Sequence, residues 1–182
     1  MPHRAIVPPV VLLAALSVPP SGLAQALPEP VQQALPGASL TGQMRFRFWG
    51  FEVYDARLWT APGFRAAAYE GHPLALELQY LRDFRAVDLV ERSIQEMRRI
   101  ATVTAEQERR WASELQRIFP DVRKGERLLG VHRPGQGAAF WFNGQPRGEI
   151  LDAEFARVFF GLWLSPRTPE PALRQALLGA SP

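Results

Sequence analysis

The 182-residue chain reads as an α+β fold in which a largely antiparallel sheet is covered on one face by a layer of helices. Strand-like alternation comes first, at residues 42–60 and 74–81. Two stretches of helical periodicity occupy the middle, at 82–101 and from 104 onward, and an aromatic hairpin with two more helices closes the chain. A composition of 47% hydrophobic and 21% charged residues fits one globular body with a proper core.

From Gly42, Met44, Phe46 and Phe48 alternate with Arg45, Arg47 and Trp49. Gly50 breaks the run, and Val53, Tyr54, Leu58 and Trp59 belong to a second strand. A third strand, residues 74–81, sets Leu74, Leu76, Leu78 and Tyr80 against Ala75, Glu77 and Gln79. Over residues 82–101 the apolar positions Val87, Val90, Ile94, Met97 and Ala101 recur every three or four residues, so a helix is expected. Thr104 with Gln107 forms a capping box that starts another helix, with Trp111, Leu115, Ile118 and Phe119 as its stripe and Pro120 as its stop. A turn at Lys124-Gly125 and a short strand at 128–132 follow, then a turn at 134–137.

The stretch from Ala138 to Gly179 holds the core. Phe140, Trp141 and Phe142 run into Asn143-Gly144, a dipeptide that tolerates positive φ and favours a tight hairpin, and the return strand ends at Ile150. Asp152 caps the next helix, which extends to about Trp163. Its Phe155, Val158, Phe159, Phe160 and Leu162 give an apolar coat too wide for a surface helix, so burial is predicted. Ser165-Pro166 ends it. Thr168-Pro169 opens a last helix with Leu173, Leu177 and Leu178 inward and Gly179 as its left-handed stop.

Residues 1–26 read as a secretory signal peptide: Arg4, an apolar run over Ile6–Leu16, and Ala24-Gln25-Ala26 as a small-x-small cleavage site. The run is short and interrupted by Pro8 and Pro9, which argues against a permanent membrane anchor. A bacterial periplasm is the expected location. Residues 27–37, with Pro28, Pro30 and Pro36, form a lead-in with one helical turn near Val31–Leu35, and the domain proper spans 38–182. The chain has no cysteine, so thiol and disulfide chemistry are excluded. Lys124 is its single lysine, and its arginines are interspersed with glutamates rather than gathered in a run. That distribution argues against a nucleic-acid partner.

Motifs for catalysis are missing from the sequence: no G-x-S-x-G, no P-loop, no H-E-x-x-H. His72 reads as a turn residue and His132 as a strand-end residue, with no carboxylates at ligand spacing, so neither a metal nor a cofactor is expected. Asp83, Asp88 and Glu91 could form a carboxylate group for acid–base work, but at a helix start they are more simply explained as charges complementing the helix dipole. Two readings of Arg45 and Arg47 stand. They lie on a solvated face with their stems over neighbouring rings, or one of them enters a cleft and meets an anionic or carbonyl group.

The phrases VYDARLW (53–59), ALELQYLRDF (75–84), FPDVRKGERL (119–128), the FNG hairpin and the closing FFGLWLSPRTPEPALRQALLG resemble, in order and spacing, the bacterial chalcone-isomerase-like family of exported proteins. The resemblance spans about residues 38–179. It implies the chalcone isomerase fold, with a ligand cleft between sheet and helices. In the plant enzymes an early-strand arginine polarises the substrate ketone, assisted by tyrosine, asparagine and threonine, and non-catalytic relatives bind fatty acids in the same cleft. Carried over, Arg45 matches that arginine, Asp55 stands where the threonine is, Phe84 where the tyrosine is, and Glu91 where the asparagine is. Losing such donors costs about a hundredfold or more in rate. A non-catalytic cleft for a small, fatty-acid-like amphiphile is therefore expected, with Arg45, Arg47, Phe84 and Glu91 as its candidate residues. Two alternatives are an isomerase or lyase acting on an enone through Arg45, and an interaction module whose cleft is filled by Trp49, Tyr80 and Phe84.

Overall fold

The structure, a computed structural model, describes residues 27–179; the expected signal peptide lies outside them. Six strands form one antiparallel sheet in sequence order: β1 (Ser39–Phe48), β2 (Phe51–Thr60), β3 (Leu74–Tyr80), β4 (Arg127–Arg133), β5 (Gly137–Phe142) and β6 (Gln145–Ile150). Between them lie α1 (Glu29–Ala34), a 3₁₀ segment (Ala66–Gly71), α2 (Ala86–Ile100) and α3 (Ala105–Ile118), and α4 (Ala153–Leu164) and α5 (Pro171–Leu177) follow β6.

Cross-strand register sorts the side chains into rows. Leu58, Leu76, Gly130, Phe140 and Gly148 are successive neighbours across β2 to β6, and Tyr54 pairs with Tyr80 nearer the open edge. These residues share the face that carries α2 to α5, where the principal core sits. The opposite face has a small core of its own, because α1 lays Val31 and Leu35 over Trp59, Ala75, Leu129 and Val131. The lead-in is thus partly packed structure: Val31 and Leu35 are fully buried.

α4 is buried as its apolar coat predicts. Phe159 is the hub, its ring 5.3 to 6.2 Å from those of Phe119, Phe140, Phe155, Phe160 and Trp163. Asp152 sets where the helix starts: Oδ1 accepts from the Glu154 and Phe155 amides and Oδ2 from Trp111 Nε1, which ties α3 to α4. The capping box at the head of α3 forms in full. α2 begins at Ala86, four residues later than the periodicity indicates, because Phe84 is held extended in a bridge with Val122. At the other end of the sheet, α5 lies against β1 where Gly42 leaves room; a Cβ there would stand 2.2 Å from the Ala176 carbonyl oxygen.

Candidate functional site

The helices do not seal the sheet everywhere. Between the open end of β1–β3 and helices α2, α4 and α5 lies a cavity of about 420 Å³, within the size range of small-ligand pockets. Its floor is the row Phe46, Tyr54 and Tyr80 with Leu78 behind. Leu89, Ser93 and Glu96 of α2 form one wall, and Phe159, Leu162 and Trp163 of α4 another. The rows come from strand alternation and the walls from the apolar stripes of the helices. Lining residues that are also exposed to solvent, among them Phe48, Phe51, Arg82 and Arg92, mark the mouth.

The lining is mostly apolar, with few polar groups. Tyr54 accepts a hydrogen bond from Trp163 Nε1 at 3.0 Å, which leaves its own proton available. The Tyr80 hydroxyl has no hydrogen-bond partner among the described residues. Burial pushes the ionisation of both phenols far up, so both stay protonated and can donate. Arg92 is tied to Glu96 at 2.8 Å, and Glu96 also takes Arg99 at 3.0 Å. Arg82 has no carboxylate partner among the described residues; its guanidinium lies 4.9 Å from the centre of the Phe51 ring.

Of the residues expected from the sequence, Phe84 lines the cavity, its ring edge-on to Tyr80 at 5.8 Å. Arg45 and Arg47 do not. Strand alternation puts them on the face away from the helices, where Arg45 forms a fork with Asp55 (2.7 and 3.0 Å) and reaches Glu52, and Arg47 also pairs with Glu52 at 2.9 Å. The hydrogen bonds from Arg45 hold the Asp55 carboxyl below the usual carboxylate range. Glu91 projects from the exposed side of α2 and does not line the cavity. Of the three rings that could close the cleft, Tyr80 on the floor and Phe84 beside it line the space and leave it open, whereas Trp49 is 87% exposed.

Tyr54, Arg82, Arg92 and Ser93 were not singled out from the sequence. The available signal was the period of two, which puts Tyr54 and Tyr80 on the same face as Leu58 and Leu76, and the period of 3.6, which puts Arg92, Ser93 and Glu96 along one side of α2. Neither shows which face meets a cavity. Among the described residues, no group of His, Cys, Asp and Glu is placed to hold a metal ion, and no helix is long and apolar enough to cross a membrane.

Residues 34–179 match the family described as chalcone isomerase-like. The chain belongs to that family. Among solved structures, the crystal structure of an Arabidopsis thaliana fatty-acid binding protein has the same chalcone isomerase-like fold, with a TM-score of 0.61 at 10% identity over 80% of this chain and 90% of that one. An uncharacterized protein of Haemophilus influenzae is 28% identical over 134 residues, or 72% of this chain. The chain spans 63% of that relative's length. The expected architecture, a chalcone isomerase-like antiparallel sheet with helices layered on it, is thus the one found.

Proposed function

We propose that this family member is an exported, non-catalytic binding protein that holds a small amphiphile of fatty-acid type in the cavity between sheet and helices. The observation that carries the reading is the open, mostly apolar cavity of about 420 Å³ with polar groups on its floor, along the α2 wall and at its mouth. An alkyl tail gains about 0.8 kcal/mol for each methylene it buries against such walls. The Tyr54 and Tyr80 hydroxyls and the Arg82 guanidinium are the donors left for a head group. The fatty-acid binding protein that shares the fold supports this ligand class, and the signal-like residues 1–26 support export to a periplasm. Catalysis on an enone finds less support, because Arg45 is engaged by two carboxylates on the far face of the sheet.

The test is displacement of the fluorescent probe N-phenyl-1-naphthylamine by saturated fatty acids of increasing length, with native mass spectrometry for stoichiometry. One ligand per chain is expected. Ser93→Phe, which puts a ring into the cavity, should abolish binding, and Arg82→Gln should weaken a carboxylate ligand about tenfold or more, the worth of a charged hydrogen bond. Binding that survives Ser93→Phe unchanged refutes the assignment of the cavity.

A further inference from the structure

Two hairpins in this sheet make the same turn with different residues. The β5–β6 connection uses Asn143 and Gly144 at φ 49° and 82°, and the β1–β2 connection uses Trp49 and Gly50 at φ 50° and 79°. Both dihedral pairs belong to the primed two-residue turn, for which Asn-Gly is the favoured solution. A tryptophan there is unfavourable twice over. Like any L-residue it brings its Cβ close to the following carbonyl oxygen in the left-handed region, and Trp49 is 87% exposed to water.

Trp49 does not stand alone. Phe48 and Phe51 on either side are 45% and 61% exposed, and Val87 on the first turn of α2 is 47% exposed. Arginines frame this apolar tip: the Arg92 guanidinium lies 5.4 Å from the Phe48 ring centre and Arg82 lies over Phe51. Phe48 and Phe51 also line the mouth of the cavity, so the tip and the cavity form one continuous apolar surface.

We infer that the β1–β2 tip docks on a phospholipid bilayer, with Trp49, Phe48 and Phe51 in the headgroup region and Arg82 against anionic headgroups, so that the cavity mouth opens toward lipid. Tryptophan with flanking arginines is the side-chain set that settles at a membrane interface, where the ring has an apolar body and a polar edge and the arginine stem stays in the apolar layer while its head reaches phosphate. Continuity with the cavity favours a bilayer over a protein partner, because the amphiphile dissolves in lipid and needs a dry path to the cavity. Delivery of ligand, and with it the argument from continuity, rests on the binding function proposed above; the exposed rings and their arginines support docking independently of it.

The experiment is sedimentation of the protein with vesicles of phosphatidylethanolamine and phosphatidylglycerol, followed in parallel by tryptophan fluorescence and analytical ultracentrifugation. The protein should co-sediment, and its emission should shift to the blue as Trp49 leaves water. Trp49→Asn suits the turn and replaces a residue that does not itself line the cavity, although its ring lies 6.0 Å from that of Phe48 at the mouth. It should lower vesicle partitioning about tenfold, 1.4 kcal/mol, remove the blue shift, and leave probe affinity in solution unchanged. Ser93→Phe should lose the probe and keep the vesicles. Failure of the unaltered protein to bind vesicles, or equal binding by Trp49→Asn, overturns the docking surface. Self-association that Trp49→Asn abolishes, without vesicle binding, overturns it in favour of a second copy of the chain. Vesicle binding without probe binding overturns the amphiphile reading and leaves docking intact.

Discussion

Tyr54 and Tyr80 are neighbours on the cavity floor, and removing the hydroxyl from each should have different consequences. The Tyr54 oxygen accepts from Trp163 Nε1 at 3.0 Å, and Trp163 is 8% exposed. Tyr54→Phe leaves that indole N–H buried without its acceptor, a loss of about 1–3 kcal/mol. For a chain of this size each kcal/mol moves Tm by about 2–4 °C. Tyr54→Phe should therefore melt several degrees lower. The Tyr80 hydroxyl has no protein partner among the described residues, so Tyr80→Phe breaks no internal hydrogen bond. Its stability should stay within about 0.5 kcal/mol of the parent, since no bond is lost and the hydroxyl belongs to the open cavity lining and is not sealed inside protein. Both variants should bind a polar-headed amphiphile less tightly, by about 2- to 12-fold if one neutral hydrogen bond is lost. Urea or thermal unfolding without ligand, together with probe displacement, separates the two effects. Equal destabilisation by the two substitutions refutes the assignment of Trp163 to Tyr54 alone, and unchanged ligand affinity in both refutes the floor as the head-group site.

Gly42→Ala places a methyl 2.2 Å from the Ala176 carbonyl oxygen and 2.5 Å from that of Leu177, both backbone atoms, so α5 must move. A loss of about 1–3 kcal/mol, the usual cost of overpacking, is expected in chemical denaturation. Burial pushes the Asp152 carboxyl up, but bonds from the Phe155 amide, Trp111 and Arg110 outweigh this and hold it below the usual carboxylate range. Its contribution is thus full above the ordinary value of about 3.9 and is lost as pH falls through the lower folded value. Asp152→Asn should flatten the acid limb of a stability-against-pH curve below about pH 4, and an unchanged limb would count against this role. Trp49→Asn should raise Tm, because asparagine relieves about 1 kcal/mol or more of left-handed strain at φ 50°; a lower Tm would mean that the exposed rings support the hairpin.

Local chemistry made much of the fold legible. Thr104 and Gln107 announced the capping box that forms, Asn143-Gly144 the hairpin, and the unbroken apolar coat of α4 its burial. Each depends on neighbours within a few residues. The start of α2 was less legible because a bridge between Phe84 and Val122, 38 positions apart, keeps residues before Ala86 extended. The lead-in hid its packing for the same reason: Val31 and Leu35 are buried only by a sheet face assembled from β2, β3 and β4.

The site divides along the same line. Alternation in the sequence alone determined that Arg45 and Arg47 oppose Phe46 and Phe48, since a strand sends successive side chains to opposite faces. Tertiary structure decided which set meets the helices. The aromatic side does, because α2, α4 and α5 need an apolar floor, and the two arginines find Asp55 and Glu52 on the other face instead. A cavity is a gap between elements that no single element encodes. The sequence thus determined elements, caps and turns, and long-range packing decided that Tyr54, Tyr80 and Arg82 share one open space.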